Sequence, residues 1–176
     1  RRLNRRQDVS ALRKRVNAGP LDLLVATDPV TDAPIVYGED GARISGDAAG
    51  ILVARWLQAE AVVAPICCNS SVLNNGFQRV LHRQVPIGAD LSSYARYEQA
   101  KTIVGYDSSG SFSVFSHIER HGRVLTALPA GDPTLVHLAL LALVRETQRP
   151  INQLVAEACT RHTAHAEVTG FDTERG

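Results

Sequence analysis

Apolar residues along this chain fall into two spacings, and their alternation sets out the elements. Short, nearly continuous apolar runs at 21–26 and 61–66 read as strands of a sheet covered on both faces. Further strands are expected at 35–37, 80–82, 102–106 and 112–115, the last antiparallel to the one before it. Helical spacing appears over 46–58, 90–100, 134–145 and 151–158, and over a basic stretch, 8–18, that Gly19-Pro20 stops. Asp47 is placed to cap the first of the central helices or to sit in its first turn, and Asn69 to cap a short helix containing Val72 and Leu73. Pro133 after Asp132, and Pro150 before Ile151, mark two more helix starts. Glu39-Asp40-Gly41 reads as a tight turn. Strand–helix alternation from about 47 to 145 predicts an α/β fold, a three-layer mixed sheet flanked by helices.

Composition narrows the classes of function. The chain has 176 residues, 44% hydrophobic and 21% charged, enough apolar material for a packed core. Its net charge of +1 supplies no global field for nucleic acid or membrane, although Arg1, Arg2, Arg5, Arg6, Arg13, Lys14 and Arg15 make the first fifteen residues basic. No apolar run is long enough to span a bilayer, and no signal peptide is visible. Cys67, Cys68 and Cys159 show neither zinc spacing nor a disulfide framework, which fits a reducing cytoplasm. Met is absent even at position 1, the pattern expected of a fragment or a processed chain.

Three loops carry candidate chemistry, because in such sheets ligands bind just beyond strand C-termini. In 28–32, Asp28 and Asp32 could converge on a hard cation such as Mg²⁺, or simply form a polar turn with an Asx bond. In 105–111, the glycines would let a ligand approach the backbone while Asp107 and the serines pair with sugar hydroxyls. An ordinary hairpin loop has the same composition. In 128–132, Asp132 stands at a helix start, a natural anion site, or caps that helix itself. His162-x-x-His165 lacks a third ligand of the right type.

The ordered series of these pieces resembles the α-D-phosphohexomutase family (phosphomannomutase/phosphoglucomutase), from the end of its second domain through its third. The family's metal loop, Asp-x-Asp-x-Asp-Arg, is similar to Asp28-Pro29-Val30-Thr31-Asp32-Ala33. Gly46-Asp47 and Asn69-Ser70 match its next two motifs. Its sugar loop, Gly-Tyr-Glu-x-Asn-Gly-Gly-Phe, is similar to residues 105–112, and its Leu-Pro-x-Arg-Asp helix start to 128–132. The departures are Val30 for the middle metal Asp, Ala33 for Arg, Asp107 for Glu, Ser109 for Asn, Gly131 for Arg, and no Lys around 85–88.

The resemblance implies a unit at 1–37 ending in a degenerate metal loop at Asp28 and Asp32. It further implies a sugar-binding α/β domain at 38–150 using Asp107 and Ser109, with Asp132 at a phosphate or helix-start position, and a helix and linker at 151–176 leading toward a fourth domain. Mg²⁺ and a hexose phosphate are the implied cofactor and ligand. The family's phosphorylated Ser lies in its first domain, so no catalytic residue is assigned in this chain. The expectation is a fragment or divergent member, inactive alone, able to self-associate or dock with the missing domains. The alternative is a non-catalytic binding or assembly module that retains the fold.

Overall fold

The computed structural model describes residues 21–96 and 98–164. The basic segment 8–18, His165 and the tail beyond it lie outside the described residues.

The chain enters as an antiparallel meander of β1 (Leu23–Thr27), β2 (Pro34–Gly38) and β3 (Arg43–Ile44), in the order β1-β2-β3. Val25 lies opposite Val36, and Thr27 opposite Pro34. The expectation for residues 21–26 is corrected here, since β1 is a half-buried edge strand and not one covered on both faces. The six residues between β1 and β2 allow an antiparallel return, whereas a parallel partner needs a crossover of a dozen residues or more. At the next corner, Gly41 adopts φ 71°, and Asp40 Oδ1 accepts the Ala42 N–H at 2.7 Å.

Helix α1 (Gly46–Trp56) follows, capped by Ser45, whose Oγ accepts the Ala48 N–H at 3.1 Å. Its residues from Asp47 to Ala54 are all buried, so it is a central helix with no solvent face over two turns. It lies against a second sheet of β4 (Ala61–Val63), β5 (Arg79–Leu81), β6 (Ile103–Tyr106) and β7 (Phe112–Val114), in the order β5-β4-β6-β7. β4 runs parallel to both neighbours, and β7 closes one edge antiparallel to β6. Val62, Val104 and Tyr106 join the α1 side of the core, while Ala61, Val63 and Ile103 pack with Val85 and Ala95 on the other. Both faces are therefore covered, which is why the 61–66 and 102–106 runs lack polar alternation. Gly50 in α1 makes room for the Tyr106 ring, since a Cβ there would lie within 2.9 Å of three ring atoms.

The second layer holds only one short helix, α2 (Ser92–Ala95), in place of the expected 90–100. The Asp90 carboxylate accepts both the Ser92 N–H and the Ser92 hydroxyl, and Ser93 Oγ donates to the Asp90 carbonyl. Such local bonds compete with helix propagation. A hairpin of β8 (Ile118–Arg120) and β9 (Arg123–Leu125) occupies a stretch to which periodicity assigns nothing. Its two-residue turn, His121-Gly122, has φ 49° and 71°, the left-handed pair that a tight hairpin requires.

Helix α3 (Pro133–Thr147) begins at an Asp132 cap, whose Oδ1 accepts the Thr134 N–H at 2.8 Å, and α4 (Ile151–Ala158) begins after Pro150. Both pack on α1, and α3 also covers β1 and β2. The result is the expected three-layer α/β arrangement with a mixed sheet at its centre. No described helix is long and apolar enough to cross a membrane.

Candidate functional site

The loops singled out in the sequence meet at the N-terminus of α1. Gly46 is the closest point: a Cβ there would lie 2.5 Å from the Ser109 carbonyl carbon, and nearer still to Gly110 N and the Ser108 carbonyl. Gly110, at φ 94°, in turn faces Gly46 Cα and the Pro34 ring, both 3.1 Å from where its own Cβ would stand. Pro34 follows the 28–33 loop directly, so that loop, the 105–111 loop and the start of α1 share one corner. The 128–132 loop reaches the same corner through Gly131, which abuts Ser111 Oγ, and through the Asp132 N–H, which donates to the Phe112 carbonyl at 3.3 Å.

Within the first loop, Asp28 Oδ1 accepts the Val30 N–H at 2.8 Å and the Thr31 N–H at 3.3 Å. The Asp28 carbonyl accepts the Asp32 N–H at 2.9 Å, and Asp32 takes a left-handed φ of 52°. This is an Asx turn, and it commits one Asp28 oxygen to the backbone. Val30, midway between Asp28 and Asp32 in the chain, is 83% exposed. Among the described residues no three His, Cys, Asp or Glu side chains group closely enough to hold a metal ion. Mg²⁺ takes about six oxygens and is commonly held by one or two carboxylates, with waters and phosphate oxygens completing the shell. Asp28 and Asp32 are the residues of this loop that would hold the ion that the family resemblance implies, with Asp28 Oδ1 already engaged by the backbone.

In the 105–111 loop, Asp107 Oδ1 gathers three donors: the Ser109 N–H at 2.9 Å, the Ser109 hydroxyl at 2.5 Å and the Ser111 N–H at 3.2 Å. The loop is thus organised around one carboxylate oxygen. Among the described residues no hydrogen bond reaches the other oxygen, Oδ2, and Ser108 and Ser109 are exposed beside it. That set can accept from and donate to the hydroxyls of a polyol.

Beneath this corner lies a buried polar node. Asp47 is 2% exposed, and its Oδ1 accepts the Asn69 N–H at 2.9 Å. Asp47 is a first-turn acid and not the cap, because Ser45 holds that role. Burial pushes the Asp47 carboxyl up and the nearby Asp107 adds to this, while the Asn69 N–H, the Cys68 thiol and His82 pull it down. Burial likewise raises the Cys68 thiol and the Tyr106 phenol well beyond their ordinary ranges, so both stay neutral. Asn69 also holds the chain exit: its Nδ2 donates to the Arg161 carbonyl at 2.8 Å and to Thr163 Oγ1 at 2.7 Å. The Arg161 N–H donates to Ser71 Oγ at 3.1 Å, and Asn75 Nδ2 donates to the Ala158 carbonyl at 2.8 Å.

Of the two roles the sequence offers Asp47, cap or first-turn acid, the second holds, and Asn69 caps its short helix as expected, its Oδ1 accepting the Ser71 N–H at 2.9 Å, but local spacing misses that the two residues bond each other. The signal available was the pairing of an acid in a helix that is apolar all round with a lone Asn-Ser-Ser after a buried strand. Two grooves of about 430 and 650 Å³ flank α3 and contain none of Asp28, Asp32, Asp107, Ser109 or Asp132.

The chain is similar to known proteins over most of its length. It is 30% identical over 146 residues to a phosphomannomutase of Salmonella muenchen, an alignment spanning 81% of this chain and 30% of that protein. Among solved structures, a phosphoglucomutase/phosphomannomutase family protein of Burkholderia thailandensis superposes with a TM-score of 0.62 at 16% identity, over 85% of this chain and 32% of that one. An N-acetylphosphoglucosamine mutase of Aspergillus fumigatus, solved with GlcNAc-6P and magnesium, superposes with a TM-score of 0.58 at 13% identity, over 84% and 36%. At these identities the structures speak to the fold. The chain spans about 30% of the length of the curated relative from Salmonella. No family model matches the chain.

Proposed function

The chain belongs to the α-D-phosphohexomutase family, and we propose that it contributes the hexose-phosphate-recognising loops of that fold without itself carrying phosphoryl transfer. The observation that supports this most is the convergence at Gly46, where a carboxylate, exposed serines and a helix start meet in backbone contact. Asp107 Oδ2 accepts a sugar hydroxyl in this reading, and Ser109, held by Oδ1, offers its own oxygen. Asp132 keeps α3 capped beside them. The related fungal mutase solved with GlcNAc-6P belongs to the same fold, which agrees with a hexose phosphate as the ligand class. In this assignment 1–37 belongs to the unit ending in the degenerate Asp28–Asp32 loop, 38–150 to the sugar-binding domain, and 151–176 leads onward. The three thiols are free of disulfides, in keeping with a reducing compartment such as the cytoplasm.

Transfer itself is assigned to none of these residues. A phosphoryl transfer needs cationic clamps and in-line positioning around the moving group. The positions that would supply them carry Val30, Ala33 and Gly131. A non-catalytic binding module is the second reading, and the Asx turn that engages Asp28 favours it.

The test is a titration of the chain with mannose and glucose phosphates, with and without Mg²⁺, followed by amide chemical shifts. Shifts at 105–111 and 128–132, lost in Asp107→Ala and weakened in Ser109→Ala, are the expected result. No shift at millimolar ligand overturns sugar-phosphate recognition and leaves the fold serving another purpose.

A further inference from the structure

The chain exit carries a cation that the sugar reading leaves unused. Arg161 lies just beyond α4, and the 69–71 stretch fastens it at three points. Asn69 Nδ2 donates to its carbonyl at 2.8 Å, its N–H donates to Ser71 Oγ at 3.1 Å, and its Nη1 donates to Ser70 Oγ at 2.7 Å. Both backbone polar groups and one guanidinium nitrogen are therefore committed. Asn69 and Ser71 are buried, and Asp47 holds the Asn69 N–H, so the post under Arg161 is part of the core. Arg161 itself is exposed and enters no ion pair among the described residues. A guanidinium has five N–H donors. Apart from the one given to Ser70, those of Arg161 meet no acceptor among the described residues.

Topology sets this cation beside the candidate sugar loop. Residues 64–70 follow β4 and residues 107–111 follow β6, and the two strands are parallel neighbours. Both loops therefore leave the same edge of the sheet, the C-terminal edge at which such sheets bind ligands. They also touch, since Cys67 Sγ donates to Ser108 Oγ across 3.9 Å. The 105–111 loop offers a carboxylate and hydroxyls but no cation. Arg83 stands on the same edge, beyond β5, but that strand is one place further from β6, and among the described residues no hydrogen bond of its side chain fixes it.

From these observations we propose that Arg161, with the Ser70 hydroxyl, binds the phosphate of a hexose phosphate whose sugar hydroxyls lie on Asp107 and Ser109. The inference rests on the sugar reading above for the rest of the ligand. The planar fork of Arg161 presents paired N–H groups that match two phosphate oxygens. The Ser70 oxygen accepts from Nη1, which leaves its O–H to donate a further bond to the same phosphate. Because the backbone of Arg161 is pinned before any ligand arrives, little ordering remains to oppose binding. A phosphate here meets a cation without a competing carboxylate partner, and it binds without being transferred.

Titration of the full chain with mannose 6-phosphate, with mannose and with inorganic phosphate, followed by amide and arginine Nε–H shifts, tests it. The expected result is that both phosphate-bearing probes move the Arg161 Nε–H and the amides of Ser70 and 161–163, while mannose does not. Arg161→Ala should raise the dissociation constant of mannose 6-phosphate at least about tenfold, with the shifts at 105–111 still reached at saturation. Arg161→Lys should recover only part of that loss, because an ammonium lacks the fork. The thermal melt of each variant checks that the exposed substitution leaves the fold intact. Wild-type affinity in Arg161→Ala, with 105–111 still responding, overturns the phosphate site and leaves sugar recognition standing. Phosphate shifts at Ser70 and Arg161 with no response of 105–111 to mannose 6-phosphate keep the anion site and overturn the sugar reading instead. No response at either place at millimolar probe overturns both.

Discussion

Gly46→Ala probes the meeting of loops most directly. The added methyl carbon would be built 2.5 Å from the Ser109 carbonyl carbon and closer to two other backbone atoms of the 108–110 turn. No side chain can rotate away, so either α1 or the 105–111 loop must move. Overpacking of this kind costs about 1–3 kcal/mol, and backbone neighbours place it toward the upper end. The helix-propensity gain of Ala over Gly, about 1 kcal/mol in a helix interior, is smaller at the first helical position and does not offset it. Gly122→Ala is the matched control: that glycine has φ 71° and nothing within 4 Å of a Cβ, so only conformational strain remains, about 1 kcal/mol. With about 2–4 °C per kcal/mol for a chain of this size, Gly46→Ala should lower Tm by roughly 4–10 °C, and Gly122→Ala by roughly 2–4 °C. Thermal unfolding by circular dichroism reads the difference, and amide shifts should localise the first to 105–111 and the second to the hairpin. Equal losses, or a Gly46→Ala protein as stable as wild type, would refute the close packing of α1 on this loop.

Other perturbations address the charges. Asp47 is raised by burial, so between the ordinary carboxylate value and its raised one the folded protein holds a proton that the unfolded chain has released, and stability falls as pH rises. Asp47→Asn keeps an acceptor for the Asn69 N–H and should flatten that dependence in urea unfolding between about pH 4 and 7, whereas Asp47→Ala should lose about 1–3 kcal/mol through an unpaired buried donor. An Asn variant with the wild-type slope would contradict this. His137 is lowered by burial, against the Ala26 carbonyl and Asp132, which raise it. The unfolded chain therefore takes up the proton first, and stability should drop as pH falls below the ordinary histidine value, a drop that His137→Gln removes. The same urea series checks it, an unchanged slope counting against it. Val30→Asp places a third carboxylate between Asp28 and Asp32 at an exposed position, and Mg²⁺ affinity measured by calorimetry should rise by at least about tenfold. No gain would mean that the Asx turn, and not the missing acid, limits the loop.

Much of this was legible in the residues. The Asp132-Pro133 and Pro150-Ile151 starts and the Glu39–Gly41 turn appear where local chemistry puts them, and the runs at 61–66 and 102–106 contain the buried strands Ala61–Val63 and Ile103–Tyr106, although Ile66 is 52% exposed. Caps, proline constraints and apolar spacing act over a few residues, and neighbours in the chain suffice to specify them. The 90–100 helix shrank to one turn because Asp90, Ser92 and Ser93 offered the backbone other partners, a competition that spacing alone does not reveal. The His121-Gly122 hairpin went unread because its turn pair is not among the usual hairpin signals and its strands are short.

The site divides along the same line. Local residue order is enough to say which loops carry carboxylates and serines, where helices begin, and that an ordered set of motifs resembles one family. Long-range packing is what pairs β1 antiparallel with β2, brings the loops beginning at 28, 105 and 128 to one corner at Gly46, and turns the Asp47 carboxylate to Asn69, 22 positions away. It also decided that α3 keeps Leu138 and Leu141 in water. Each of these depends on residues far apart in the chain approaching within a few ångströms, and the free energy of that approach comes from burying apolar surface and closing loops across the whole domain, which no local pattern encodes.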